Sequence, residues 1–297
     1  MNSDPLIKVT DLVKQFGDQV VLNGVNLEVF SGETVVVMGG SGSGKSTLLR
    51  HMIGALQPDS GDVTLLGRDL LALDEDGLNE VRKKIGILFQ SGALFNSMTV
   101  AENVALPLQE HTMLDQNIIE MMVKIKLELV GLREHADKYP AQISGGMKKR
   151  AGLARALSLD PQVLFYDEPS AGLDPVTSAE IDRLINDLSK KLGVTSVVVT
   201  HEMDSAFSVG DRMAMLERGR MLMVDTREAF EQLRDHPADQ LDGFDDRQLT
   251  IRQFLRGDAE GPITRRKAAT NYAEDLLGET EPILGDTPAV EPTRSPK

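Results

Sequence analysis

An α/β fold with a mainly parallel core sheet, an N-terminal antiparallel β part and an inserted helical part is predicted by three observations. Val35 to Thr47 reads VVVMGGSGSGKST, an apolar run closing on Gly39, four residues, Gly44, Lys45 and Ser46, which fits the phosphate-loop pattern G-x-x-x-x-G-K-[ST]. Two more apolar runs, Val163 to Tyr166 and Thr195 to Thr200, end in Asp167-Glu168 and His201. Buried parallel strands read this way, and ligands bind at their carboxyl ends. From Ser91 to about Asp160 the pattern turns helical, as a lobe inserted into such a core would.

Taken in order, Leu6 to Val13 and Val20 to Val29 are rich in β-branched residues and read as two strands around Phe16-Gly17-Asp18-Gln19. Two readings stand for Phe16: a ring stacked on a nucleotide base, or a staple packing the turn onto the sheet. After the loop, a helix is expected from Ser46 to about Leu56, ending near Pro58 and Gly61, then a short strand over Asp62 to Leu66. Ile85 to Phe89 is strand-like and closes on Gln90. Helices follow over Val100 to Gln109, Asn117 to Leu129 and from near Gly145; another runs from about Val176 to Leu192, opened by Asp174. Arg212 to Glu217 and Arg220 to Asp225 read as a hairpin about Arg218-Gly219. Short helices are expected at Arg227 to Leu233 and around Leu249 to Leu255, with Leu276-Leu277 as a small apolar anchor; from Gly278 the Pro, Thr, Glu and Asp content predicts disorder.

The 297 residues are 41% hydrophobic and 4% aromatic with no Trp, so the core should be aliphatic and rich in Met. No Cys is present, which excludes disulfides and Cys-ligated metals. A formal net charge of −14 disfavours a nucleic-acid partner. MNSDPLIK has no basic stretch leading into an apolar one, and no window approaches the ~18 apolar residues of a membrane span. Work at a membrane would need another subunit to hold the chain there.

The chemistry concentrates at the strand ends. Gly39, Gly40, Ser41, Gly42, Ser43 and Gly44 allow backbone N–H groups to turn around a β-phosphate, and the helix beginning near Lys45 and continuing through Thr47 points its positive end at the anion. Lys45 would reach the β- and γ-phosphates and Ser46 would ligate Mg²⁺. Adjacent buried carboxylates are costly unless they meet a cation, which assigns Asp167 to Mg²⁺ and Glu168 to an attacking water as general base. Gln90 can bond the metal or its water. Of five histidines only His201 follows a strand as the catalytic carboxylates do, which suggests a γ-phosphate sensor; His51, His111, His135 and His236 read as ordinary core or surface residues. Ile143-Ser144-Gly145-Gly146-Met147-Lys148 opens a helix with a second anion-binding turn, and Lys148, Lys149 and Arg150 read as a solvated helix face.

With the phosphate loop, Gln90, Ser144-Gly145-Gly146, Asp167-Glu168, Asp174 and His201 in this order, the chain resembles the nucleotide-binding subunits of ABC transporters from Leu6 to about Asp225. The resemblance implies a P-loop NTPase fold of the ABC ATPase type: a core over 1–90 and 161–225, a helical signature part over 91–160, and an extension over 226–297, partly disordered. It implies an ATPase that binds ATP and Mg²⁺ and forms a head-to-tail homodimer in which each serine-glycine turn completes the partner's site. Phe16, Gln90, Ser144, Gly145, Gly146 and Asp174 then join the loop residues as nucleotide contacts.

The family usually places Leu and Gln where this chain has Ile143 and Met147, which leaves recognition to Ser144 and the glycine amides. ISGGMKKRAGLARAL and LFQSGALFNSMTVAENVALPL are more similar to the ATPase subunits of the Mla phospholipid transporters and their mycobacterial and chloroplast relatives. IRQFLRGDAEGP and YAEDLLG resemble the extension that in that group reaches the partner ATPase. That likeness implies lipid transport at the cytoplasmic face of the inner membrane, a permease partner, a lipid-binding substrate protein and a small regulatory subunit. Ala93 to Leu108 reads either as the helical part's own core, through Leu94, Phe95, Met98 and Val100, or as a seat for a permease helix. The rival expectations are a soluble ABC protein switching translation or DNA repair, and a transporter of a polar solute.

Overall fold

The computed structural model describes residues 4–237, 241 and 243–264. Strands β1 (Ile7–Phe16) and β2 (Gln19–Val29) form the expected hairpin, with Phe16 paired to Gln19. They join β4 (Ser60–Leu65) and β5 (Arg68–Asp69) in an antiparallel sheet of order β2-β1-β4-β5. The second sheet has six strands in the order β10-β9-β3-β8-β7-β6. There β3 (Thr34–Met38), β6 (Ile85–Leu88), β7 (Val163–Asp167), β8 (Thr195–Thr200) and β9 (Arg212–Glu217) are parallel, and β10 (Arg220–Thr226) is the antiparallel edge. The mainly parallel core and the N-terminal antiparallel sheet are as the sequence predicts.

Every residue of β3 and β8 is buried, which is why these strands read as continuous apolar runs rather than alternating ones. Their two-residue period divides them between two cores. Val36, Met38, Tyr166, Val198 and Met215 face one, against the helical insertion. Val35, Val37, Phe165, Val199 and Leu216 face the other, against α1 (Lys45–Met52) and the antiparallel sheet. The core is aliphatic with several Met, yet its largest fully buried side chains are Tyr166, Phe165 and Phe230.

The insertion holds α3 (Val100–His111), α4 (Gln116–Leu129) and α5 (Gly145–Ala156). Asn103, fully buried, locks the preceding loop by accepting from Phe95 N and donating to the carbonyls of Phe95, Met98 and Thr99 at 2.8–3.2 Å. Gly86 in β6 admits the end of α5, because a Cβ there would lie 2.3 Å from the Ala156 carbonyl.

The differences from expectation are local. Helix α1 stops at Met52, before Gly54 turns the chain at φ 66°, rather than near Leu56. Two short helices were unforeseen, α2 (Glu75–Arg82), capped by Asp74, and α7 (Met203–Val209). Helix α6 (Pro175–Leu192) follows Asp174 as expected, and α8 (Arg227–Asp235) and α9 (Asp246–Arg256) extend the two helices foreseen after the hairpin. Leu276-Leu277, YAEDLLG and the segment from Gly278 lie outside the described residues.

On α6, Asp182 is 5% exposed and accepts from Ser205 Oγ at 2.5 Å. Burial first, with Glu202 and Asp204 adding, pushes its carboxyl up against the opposing effect of the Ser205 bond. A carboxyl whose folded pKa is raised lowers stability once it ionises, so Asp182→Asn, which keeps the acceptor, should raise the thermal midpoint. The gain should be full above the folded pKa and fade as pH falls through it towards the unfolded value. Melting curves at a series of pH values check this; an Asn chain melting lower at neutral pH would contradict it.

Candidate nucleotide site

The loop from Gly39 to Lys45 links β3 to α1, and its glycines answer to space as well as conformation. A Cβ at Gly39 would lie 2.0 Å from the Leu216 carbonyl, and one at Gly44 (φ 108°) 2.9 Å from the Val21 carbonyl. Lys45 is 8% exposed and its Nζ donates to the Gly39 and Gly40 carbonyls at 2.7 and 3.1 Å. Burial lowers its pKa, while Glu168 and Asp167 oppose that. The Ser43 hydroxyl is buried without a hydrogen-bond partner. A buried cation, an orphaned hydroxyl and a glycine cradle at a helix N-terminus fit the oxyanions of a nucleotide. Ser41 and Gly42 are exposed at the loop tip, and Thr47 is half-buried in the first turn of α1.

Parallel register brings the other strand ends to this loop. Met38 pairs with Thr200 and Val199 with Asp167, which sets Lys45, Asp167-Glu168 and His201 along one edge of the sheet. Ser46 Oγ lies 3.5 Å from Asp167 Oδ1. Burial, and then the neighbouring Glu168, push the Asp167 carboxyl up, so a cation beside it would be favoured. Hydroxyl and carboxylate oxygens are the hard donors Mg²⁺ takes, and among the described residues no cluster of three His, Cys, Asp or Glu forms a cage of its own. This suits an ion shared with phosphate oxygens. Gln90 and Glu168 both lie two residues beyond the paired Leu88 and Tyr166, Gln90 exposed and Glu168 buried.

Glu168 has φ 50°, a left-handed backbone that costs a non-glycine residue about 1–3 kcal/mol. Its Oε1 is 2.9 Å from His201 Nδ1, and its backbone N–H donates to the Val199 carbonyl at 2.8 Å. The turn after β7 therefore points the carboxylate across to the end of β8. That Glu168 and His201 touch each other was not foreseen.

Ser144 caps α5, its Oγ accepting from Met147 N at 3.3 Å. With Gly146, Thr177 and Glu180 it lines a cleft of about 210 Å³ to which no residue of the phosphate loop contributes. Asp174 caps α6 through the N–H groups of Val176 and Thr177, both at 3.1 Å, so its carboxylate is already engaged within its own turn. Phe16 is 49% exposed, with the Lys14 ammonium over its ring 5.5 Å from the centroid.

One expectation is overturned. Lys149 is not part of a solvated face: it is 5% exposed and its Nζ donates to the Glu168 carbonyl at 2.8 Å. Helical rotation spreads Lys148, Lys149 and Arg150 over different faces, and α5 is packed on several sides, so one of the three must point inward. The small residues Ala151, Gly152 and Ala154 that follow signalled this close packing. Arg150 reaches the Val130 carbonyl and Glu180.

The surface beside Gln90 divides. Val100 is fully buried and Leu94 packs on the core, whereas Phe89 and Phe95 are 41% and 52% exposed. The two rings, with Ile87, Leu106 and Pro107, line a groove of about 600 Å³.

Residues 22–171 match the family described as ABC transporter. The chain is 39% identical over 272 residues to the intermembrane phospholipid transport system ATP-binding protein MlaF of Haemophilus influenzae, covering 92% of this chain and 98% of that one. It is 41% identical over 271 residues to the probable ribonucleotide transport ATP-binding protein mkl of Mycobacterium leprae, covering 91% and 74%. Among solved structures, a dimeric ATP-binding cassette in a post-hydrolysis state with ADP and Pi superposes with a TM-score of 0.69 at 33% identity, over 74% of this chain and 98% of that one.

Proposed function

Since this chain belongs to the ABC transporter family and is one of its ATP-hydrolysing cassettes, we propose that it powers phospholipid movement through a membrane permease as a homodimer with two shared MgATP sites. The observation that carries the ATPase chemistry is the meeting of Lys45, Ser46, Asp167, Glu168 and His201 at the carboxyl ends of three parallel strands. Lys45 bonds phosphate oxygens in place of the Gly39 and Gly40 carbonyls. Ser46, Asp167 and Gln90 would hold Mg²⁺, which when bound neutralises charge on the terminal phosphates. Glu168 accepts the proton of the attacking water, and His201 holds the Glu168 carboxylate through Nδ1 while its Nε2 is left to sense the γ-phosphate.

A dimer follows from the site's incompleteness. The Ser144 cleft is lined without the chain's own phosphate loop, so its serine-glycine turn is available to a partner's nucleotide, and the likeness to a dimeric cassette supports this. The division into a core of 1–90 and 161–225 and a helical part of 91–160 suits that role. Among the described residues no helix is long and apolar enough to cross a membrane. The apolar groove beside Gln90 is the surface we assign to the permease, which would place the protein peripherally on the cytoplasmic face of the inner membrane.

Likeness to MlaF over nearly its whole length supports lipid cargo; a lipid-binding protein and a small regulatory subunit are the further partners that reading proposes. A second reading, a ribonucleotide as cargo, is favoured by the likeness to mkl. Reconstitution of the chain with its permease in proteoliposomes separates them: MgATP-dependent transfer of labelled phospholipid is expected, and nucleotide uptake without lipid transfer would replace the lipid reading. In the same assay Phe95→Asp should lower permease affinity about tenfold or more while the isolated chain melts as wild type. Unchanged coupling would remove the groove from the permease contact.

A further inference from the structure

Helix α5 reaches the site from beneath. Lys149 Nζ and the Ala171 N–H both donate to the Glu168 carbonyl, at 2.8 and 3.3 Å. Six residues on, Arg155 donates to the carbonyls of Ala93 and Gly92 at 2.8 and 3.2 Å. A Cβ at Gly152 would lie 2.9 Å from the Gly92 carbonyl, so the helix and the turn after Gln90 are in close contact. One rigid element thus grips both the carboxylate turn and the chain leading to the groove.

A lysine that is 5% exposed is costly to bury, and here its hydrogen bond goes to a main-chain carbonyl and not to a carboxylate. That carbonyl belongs to a residue held in a left-handed conformation, at φ 50°. A strained turn persists when its surroundings over-determine it. Burial lowers the Lys149 pKa, and Glu168, Asp167 and Glu202 oppose that with a negative field that favours the ammonium.

We infer that Lys149 is a positioning residue for hydrolysis: its ammonium holds the Glu168 carbonyl, and so the turn that presents the Glu168 carboxylate to His201. The inference rests on Glu168 being the general base. Lys149 touches no nucleotide in this scheme, so its loss should lower kcat and spare KM.

The test is steady-state hydrolysis by the full chain carrying Lys149→Met, which keeps the length of the stem without a donor, or Lys149→Gln, which keeps an uncharged donor one bond short. Thermal melting and ATP binding are measured alongside. Expected is a kcat about ten- to hundredfold lower for Met, less lowered for Gln, with KM and ATP affinity within about twofold of wild type. A folded Met chain with wild-type kcat overturns the inference, as does a loss that appears in KM. Should the Met chain not fold, the Gln chain decides, and wild-type kcat there overturns it equally. Glu168→Gln run in parallel keeps the two readings apart: if it hydrolyses normally the base assignment fails, whereas if it is inactive and Lys149→Met is not impaired, only the positioning role fails.

Discussion

Glu168→Gln is expected to lower ATP turnover by about 10²- to 10⁴-fold, the usual contribution of a general base, while ATP still binds. The reason is geometric. The amide fills the same space at the end of β7 and can still bond His201 across the 2.9 Å now spanned by Oε1 and Nδ1, but it cannot take a proton from water. Binding and closure therefore proceed and cleavage does not, so the variant should accumulate as a nucleotide-bound dimer. Steady-state hydrolysis and size-exclusion chromatography with MgATP check both parts. Wild-type turnover would remove Glu168 as the base.

The second large effect is expected at a residue that its own chain's nucleotide does not need. Ser144→Arg removes the cap of α5, worth about 1 kcal/mol, and puts a guanidinium into the cleft shared with Thr177 and Glu180. Turnover should fall by about a hundredfold or more through loss of preorganised donors at the phosphate, while ATP affinity of the isolated chain stays at the wild-type value. Lys45→Ala fails for the complementary reason. In a mixed dimer one of the two sites takes Lys45 from the first chain and Ser144 from the second, so an equal mixture should recover up to about a quarter of wild-type activity. No recovery, with the mixed dimer shown to form by differential tagging, would count against shared sites.

Much of the site could be read from the residues because its chemistry is written in short spacings. Val35 to Ser46 specifies a strand, a cradle and a helix start within twelve positions, and Asp167-Glu168 and His201 each close an apolar run. Strands that are buried on both faces have nothing polar to alternate with, so their ends are sharp in sequence. The short helices α2 and α7 lacked that clarity, being eight and seven residues long and held by tertiary contact. Leu94 and Phe95 show the same difficulty at side-chain scale: neighbours of similar polarity, one packed on the core and the other open to the groove.

Residues alone were enough to predict a parallel α/β core and to single out the Gly39–Ser46 loop, Asp167-Glu168 and His201 at its strand ends, since each depends on local periodicity and on what a strand's end can carry. Folding in three dimensions had to assign Lys149 to the Glu168 carbonyl, join His201 to Glu168, occupy Asp174 as a cap and leave Phe16 exposed. A helix's rotation about its axis and a side chain's partner across the sheet are set by packing between segments distant in sequence, and no spacing within either segment encodes them.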